Sequence, residues 1–156
     1  MLARYNRIAN ERLYEKCAQL TDAECKKPRQ GSFGSIHRLL NHILHGDRIW
    51  MSRFEGGGRA TPPLDTILYE DFPTLRSARI QQDAQIESYF ANLSPDFTDL
   101  SFPYTNNQGK DYVEAASVAF SHFFNHETHH RGQVHVMLSQ TPVAPPSLDL
   151  HRIINP

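Results

Sequence analysis

Four long segments in which apolar residues recur at helical spacing are the strongest constraint on the fold. They run from about Leu2 to Leu20, from Ser35 to about Phe54, from near Pro73 to about Leu93, and from about Asp111 to Ser139. Glycine and proline, which interrupt helices, are concentrated between these segments. No convincing pair of strands is found beside them. The chain is therefore predicted to be all-α.

The connection between the second and third predicted helices is long, and this restricts how the helices can be arranged. It covers about 18 residues, from Glu55 to Phe72, and is rich in glycine, proline and threonine. An extended segment of that length reaches about 60 Å, whereas a 20-residue helix is about 30 Å long. The third helix can therefore begin at the opposite end of the molecule. We predict a four-helix up-down-down-up bundle with one crossover loop, formed by a single domain of residues 1–156.

Two further segments have less regular patterns. Residues 97–110 alternate weakly between polar and apolar residues and then contain Asn106, Asn107 and Gly109, which predicts either a small hairpin or an ordered loop. The tail from Thr141 to Pro156 contains three prolines close to its start, and these exclude a continuation of the fourth helix. We expect the tail to be an extended strap with one short turn near residues 148–153.

The charge pattern excludes several classes of function. Sixteen basic and seventeen acidic side chains are mixed along the chain, so no basic surface for nucleic acid or for a membrane is predicted. No apolar stretch approaches the roughly 20 residues of a membrane span, and no signal peptide is recognisable. Cys17 and Cys25 are expected to be reduced thiols, with a disulfide between them as the alternative. These features predict a cytoplasmic protein.

Histidine is the residue type with the most unusual distribution. Of nine histidines, five lie between His122 and His135. His126 and His130 are four residues apart, and at 100° per residue both fall within about 60° of Phe123 on the apolar face of the fourth helix. Two imidazoles one helical turn apart can bind one divalent metal ion. The other histidines of this helix lie at the rim of the apolar face or outside it: His122, His129 and His135.

A third metal ligand is predicted on the second helix. His42 lies within the apolar face of that helix, whereas His45 points away from it and His37 lies near the opposite edge. Three neutral imidazoles leave at least one coordination position open, which is typical of catalytic rather than structural metal sites. The alternative is a metal-free bundle in which core histidines accept ordinary hydrogen bonds from neighbouring helices.

The stretch that begins at His126 also matches the zinc-peptidase pattern H-E-x-x-H. No glutamate follows Glu127, and Gln133 and Val136 occupy the positions of the glycine and histidine that the extended pattern requires. The peptidase interpretation is therefore rejected. Glu127 still falls on the apolar face, so it needs a partner: a ligand imidazole, a metal-bound water, or Arg131 one turn later. The pair with Arg131 is favoured.

Two sequence runs together resemble the DinB family. They are Leu39-Leu-Asn-His42-Ile-Leu-His-Gly-Asp-Arg-Ile-Trp50 and Phe124-Asn-His126-Glu-Thr-His-His130-Arg-Gly-Gln133. The resemblance implies a four-helix up-down-down-up bundle, a divalent metal, most often zinc or nickel, and frequent homodimers. Carried over by position, it implies the metal ligands His42, His126 and His130.

The resemblance implies one fold but several possible types of reaction. It implies either a transferase that joins a low-molecular-weight thiol to an electrophile, or a metal-dependent hydrolase or isomerase. We therefore expect a metal-dependent enzyme that acts on a small molecule. The alternative is a non-catalytic module for binding or stress response, braced by its metal, with His122, His129 or Glu127 as a fourth ligand. Gly132, on the outer face of its helix, predicts a contact in a homodimer.

Overall fold

The computed structural model describes residues 1–57, 62–106 and 108–155. These residues are mostly helical, with a small two-stranded sheet. The α-helices are α1 (Leu2–Cys17), α2 (Asp22–Lys26), α3 (Ile36–Phe54), α4 (Phe72–Ala91), α5 (Ala116–Leu138) and α6 (Leu150–Ile154). The strands are β1 (Ser101–Thr105) and β2 (Asp111–Ala115), and a short 3-10 helix, Phe97–Asp99, precedes them.

The sheet corrects the prediction that the chain is all-α. Strands β1 and β2 pair antiparallel, with Ser101 opposite Ala115 and Thr105 opposite Asp111. The side chain of Asn106 accepts hydrogen bonds from the backbone N–H groups of the turn, including that of Lys110 at 3.0 Å. Of the two alternatives for this region, the hairpin is the one observed. The predicted fourth helix therefore begins five residues later than expected, because residues 111–115 pair with β1.

Polar residues at the helix starts set the helix boundaries. Ser35 accepts a hydrogen bond from the backbone N–H of Arg38 at 3.2 Å, and Asp71 accepts one from Thr74 at 2.9 Å. These N-caps satisfy donors that have no partner within the helix. They place the start of α3 as predicted and that of α4 within one residue. Helix α2, capped by Thr21, was predicted only as part of a connection.

The four long helices form the main contacts of the fold. Helices α1 and α3 each pack against both α4 and α5. The core between them is apolar over most of its length, and its fully buried members include Leu13, Ile36, Leu39, Leu44, Leu75, Val134 and Leu138. A second, aromatic cluster lies near the C-terminal end of α3 around Phe54 and contains Phe90, Phe120 and Phe123. This packing holds α3 and α5 side by side.

The C-terminal tail packs against the first helix. Tyr5 of α1 donates a hydrogen bond to the carbonyl of Leu148 at 2.8 Å, and Ile153 of α6 is buried, so the tail is held against α1.

Cys17 and Cys25 are buried free thiols, as predicted. Burial raises the pKa of Cys25 to about 11 and also raises that of Cys17. Within the described parts of the chain, no helix is both long and apolar enough to span a membrane.

Candidate metal centre

Three histidines from two helices converge between α3 and α5. His42 projects from α3, and His126 and His130 project from α5, with one ring nitrogen of each within 4.8 Å of the others. The ring centroids of His126 and His130 are 4.4 Å apart, and those of His42 and His130 are 4.7 Å apart. His42 and His130 are each only 8% exposed, whereas His126 is half-buried. The structure thus brings together the three side chains that were predicted as metal ligands.

The hydrogen bonds around two of these rings determine which nitrogen carries the proton. Nδ1 of His42 lies 3.2 Å from the carbonyl oxygen of Leu64, and Nδ1 of His130 lies 2.9 Å from Oε1 of Gln133. The amide nitrogen of Gln133 lies 3.0 Å from Nε2 of His129, which leaves Oε1 to face His130. Both partner oxygens can only accept hydrogen bonds. Each Nδ1 is therefore assigned the proton, and each Nε2 keeps a lone pair.

The two Nε2 atoms face each other at a distance that suits a metal ion. They lie 3.3 Å apart, and two lone pairs at this distance repel unless a cation lies between them. In a tetrahedral zinc site with Zn–N bonds of about 2.0–2.1 Å, two ligand nitrogens are about 3.3–3.4 Å apart. Ligating histidines usually donate their other N–H to a carbonyl or carboxylate, as these two do to a carbonyl and a side-chain amide. The donor set therefore fits a divalent metal.

Burial keeps the three imidazoles neutral. It is the largest cause that lowers the pKa of His42, His126 and His130 below the usual value. For His130 the hydrogen bond to Gln133 acts in the opposite direction, but the pKa still falls to about 4. Because a metal binds the unprotonated ring nitrogen, these side chains are in the correct state at neutral pH.

The comparison with protein families agrees with this geometry. The sequence model of the DinB family matches residues 1–156, the whole chain. The chain belongs to the DinB family. A search of curated proteins found none with significant similarity. Membership of the DinB family and a histidine triad within metal-binding distance are both compatible with metal binding.

A glycine of α3 makes room for one ring of the triad in this DinB-family chain. A Cβ atom at Gly46 would lie 3.0 Å from Cε1 of His126, closer than nearly all such contacts in proteins. Glycine therefore lets the His126 ring lie directly against the α3 backbone. This role was not predicted. Its signal in the sequence is a glycine inside a helix, where it is about 1 kcal/mol less favourable than alanine, one turn after His42.

Aromatic side chains border the triad on two sides. The ring of Phe33 lies 4.2 Å from that of His42 and 5.3 Å from that of His130, measured between centroids. On the other side, His122 lies 5.0 Å from the ring of Trp50 and 6.0 Å from that of His126.

Among the described residues, the only group of His, Cys, Asp and Glu side chains close enough to share a metal is the triad itself. His122, His129 and Glu127 are not members of it.

Glu127 belongs instead to a buried ionic network. It is fully buried and pairs with Arg131 at 3.3 Å, which confirms the favoured prediction, and its Oε1 lies 3.9 Å from Nδ1 of His126. Nearby, Arg79 pairs with Asp47 at 2.5 Å and with Asp83 at 3.0 Å. Asn10 joins the two parts, because it donates to Asp83 at 2.9 Å and accepts from Arg131 at 3.4 Å.

Most of this network was not predicted from the sequence. Burial, and then the neighbouring Glu127, raise the pKa of Asp47 well above the usual value. Arg79 and Asp83 are four residues apart on α4, and this spacing could have indicated an ion pair. Nothing in the local pattern indicated that the pair is buried. The network supports the α5 segment that carries His126.

The prediction for His45 was wrong. It was expected to point away from the apolar face of α3, but only 2% of it is exposed. Helix α4 and residues 62–68 of the crossover segment cover that side of α3. His37 is also buried, at 3% exposure, and lies 3.4 Å from the side-chain nitrogen of Asn41.

Proposed function

We propose that this DinB-family protein binds one divalent metal ion, zinc or nickel, through His42, His126 and His130. The observation that carries this proposal is the pair of Nε2 lone pairs 3.3 Å apart, each on a ring whose Nδ1 is already hydrogen-bonded. Neutral imidazole is a good ligand for both metals. The low pKa values of the three rings support the same assignment.

We further propose that the protein is a metal-dependent enzyme that acts on a small molecule, as a thiol S-transferase or a hydrolase. Three protein ligands leave a coordination position for a substrate or a water. A divalent ion held there would supply Lewis acidity, which lowers the pKa of a bound water or thiol. Leu64 and Gln133 orient two of the rings, and Phe33 shields them on one side. Glu127 is engaged by Arg131, so we assign it the support of His126 rather than the role of a general base.

We propose that α1, α3, α4 and α5 form the up-down-down-up bundle predicted from the sequence. The packing of α1 and α3 against both α4 and α5 supports this arrangement. The segment between α3 and α4 is the crossover. We also propose that the protein is cytoplasmic and that it forms a homodimer through the outer face of α5 around Gly132. Light scattering at micromolar concentration tests the dimer, and a monomer would remove it.

Metal analysis tests the triad directly. The protein is purified without chelator, and bound metal is measured by inorganic mass spectrometry for the wild type and for H42A and H126A. We expect about one ion per chain in the wild type and a large loss in both variants, since two ligands hold a divalent ion weakly. The matched control is H135A, on the same helix but outside the triad, which should retain its metal. Stoichiometric metal in both triad variants would refute the assignment.

A metal-braced module without catalysis is the second candidate. The burial of His42 and His130 beneath Phe33 favours it, because a structural site needs no access for substrate. Spectra of the cobalt-substituted protein distinguish the two candidates. A spectrum that changes on addition of a low-molecular-weight thiol supports the transferase. A change with small oxyanions but not with thiols supports the hydrolase, and a spectrum insensitive to both supports the braced module.

A further inference from the structure

A cavity separate from the histidine triad lies between α3, α4 and residues 62–68 of the crossover segment. Its volume is about 580 Å³, within the range of about 300–1,000 Å³ that is usual for small-molecule sites. None of the three triad histidines lines it. The lining residues that matter below are His45, Arg48, Ile49, Glu55, Leu68 and Gln85.

Arg48 supplies a positive charge at this cavity. Its guanidinium donates one hydrogen bond, to the hydroxyl of Tyr69 at 2.8 Å. Among the residues that the structure describes, no carboxylate lies within ion-pair distance of it. A guanidinium carries five N–H donors in a planar fork that matches a carboxylate or a phosphate. Arg48 therefore retains donors for an anion.

His45 adds a buried polar group to the same wall. It is 2% exposed, and neither ring nitrogen has a hydrogen-bond partner in the described part of the chain. A buried polar group without a partner typically destabilises a fold by about 1–3 kcal/mol. Such groups are rare in native proteins, and a bound water, ion or ligand is one explanation for them. A ligand in the cavity that reaches the ring, after a small rotation of the side chain, would provide the missing partner.

The rest of the cavity is asymmetric in charge. Glu55 accepts a hydrogen bond from Gln85 at 2.8 Å, and Gln85 accepts one from Gln82 at 3.2 Å. Glu55 follows the last residue of α3, so its acidic side chain is held seven residues away from Arg48 in sequence. Ile49 and Leu68 provide apolar surface near the Arg48 end. An anionic group is therefore favoured near Arg48 and disfavoured near Glu55.

We propose that this cavity is a second ligand site, which binds a small organic anion whose carboxylate or phosphate group contacts Arg48. The anion accepts hydrogen bonds from the guanidinium, exchanges one with His45, and packs its apolar part against Ile49 and Leu68. The site does not depend on the proposed metal chemistry. It can be tested in protein that has been stripped of metal.

Titration calorimetry with defined probes tests the site. Succinate and inorganic phosphate represent the two kinds of anion, and succinamide is a neutral analogue of succinate. We expect saturable binding of at least one anion and none of succinamide. R48Q should weaken that binding about tenfold or more, since it removes charge-assisted hydrogen bonds. The matched control is R38Q, which removes the same charge from an exposed position on α3 and should bind as the wild type does.

A second variant keeps the test valid if R48Q is poorly folded. H45L retains the size of the side chain, and it breaks no hydrogen bond among the described residues, so it should fold normally. It should weaken anion binding without affecting bound metal. Preference for succinate or for phosphate identifies the anionic group. The proposal is overturned if neither anion binds, if succinamide binds equally well, or if R38Q weakens binding as much as R48Q.

Discussion

Helix α5 carries two residue pairs at the same spacing, offset by one position, and their surroundings differ. Glu127 and Arg131 form an ion pair at 3.3 Å. Asn10 and Asp83 connect this pair to a second buried arginine, Arg79. His126 and His130 do not pair with each other. Their rings meet His42 from α3, and two of the three present lone pairs to one another.

This difference separates polar groups that are paired within the fold from polar groups that are arranged to accept a ligand. The ionic network contains both signs of charge, so each of its buried arginines is paired with a carboxylate of the network. The triad instead brings two lone pairs, those of His42 and His130, to face each other, and a cation from outside would satisfy both. Changes in the network should therefore affect stability, and changes in the triad should affect metal affinity.

The largest effect is expected from R131M, which removes the cation beside Glu127. It leaves a fully buried carboxylate without its partner, and such changes lower the free energy of unfolding by about 3–5 kcal/mol. Urea unfolding measures the effect. The matched control is R152M, which breaks the exposed pair with Asp149 and should cost less than about 0.5 kcal/mol. The double variant E127Q/R131M should recover part of the loss, and equal costs for R131M and R152M would contradict the role of the network.

A smaller effect, and one on metal affinity, is expected from G46A. The added Cβ would lie 3.0 Å from the His126 ring, which must shift by a few tenths of an ångström from its place in the triad. We expect metal affinity to fall about tenfold, the range found for supporting positions, while the metal-free stability changes by less than about 1 kcal/mol. Competition with a chromophoric chelator measures the affinity. The matched control is G132A on α5, where a Cβ would meet nothing within 4 Å, and its affinity should not change.

The smallest effect is expected from H130L in metal-free protein. At pH 7 the change in the free energy of unfolding should be less than about 1 kcal/mol, since the variant replaces a neutral ring by an apolar side chain. The wild type should lose stability as the pH falls from about 7 towards 4. Burial lowers the pKa of His130 to about 4, so the unfolded chain takes up the proton first. Urea unfolding at several pH values should give a shallower decline for H130L, and parallel curves would show that folding does not lower the pKa of His130.

The features that were predicted correctly depend on local sequence. The spacing of apolar residues defined the faces of α3 and α5, and this was enough to predict that the side chains of His42, His126 and His130 lie close together. Serine is a residue type that commonly caps helices, and Ser35 therefore indicated the start of α3 from local sequence as well. Glu127 and Arg131 were paired correctly because both lie on one helix.

The features that were missed depend on contacts between distant segments. The burial of His45 results from α4 and the crossover segment, which no pattern within α3 reveals. Asp47 and Arg79 lie on different helices, so their pairing was not visible in either sequence run. Residues 111–115 were wrongly assigned to a helix. They form a strand instead, because their pairing with β1 outweighs their local preference. Residues 58–61, in the predicted crossover loop, lie outside the described residues.

The carbonyl of Leu64 accepts a hydrogen bond from His42. Four residues later, Leu68 forms part of the wall of the cavity beside Arg48. One short segment therefore touches both proposed sites. Equilibrium binding obeys reciprocity: if an anion in the cavity changes metal affinity by some factor, the metal changes the affinity for that anion by the same factor. A single thermodynamic cycle, measured with and without each ligand, gives the coupling free energy between the two sites.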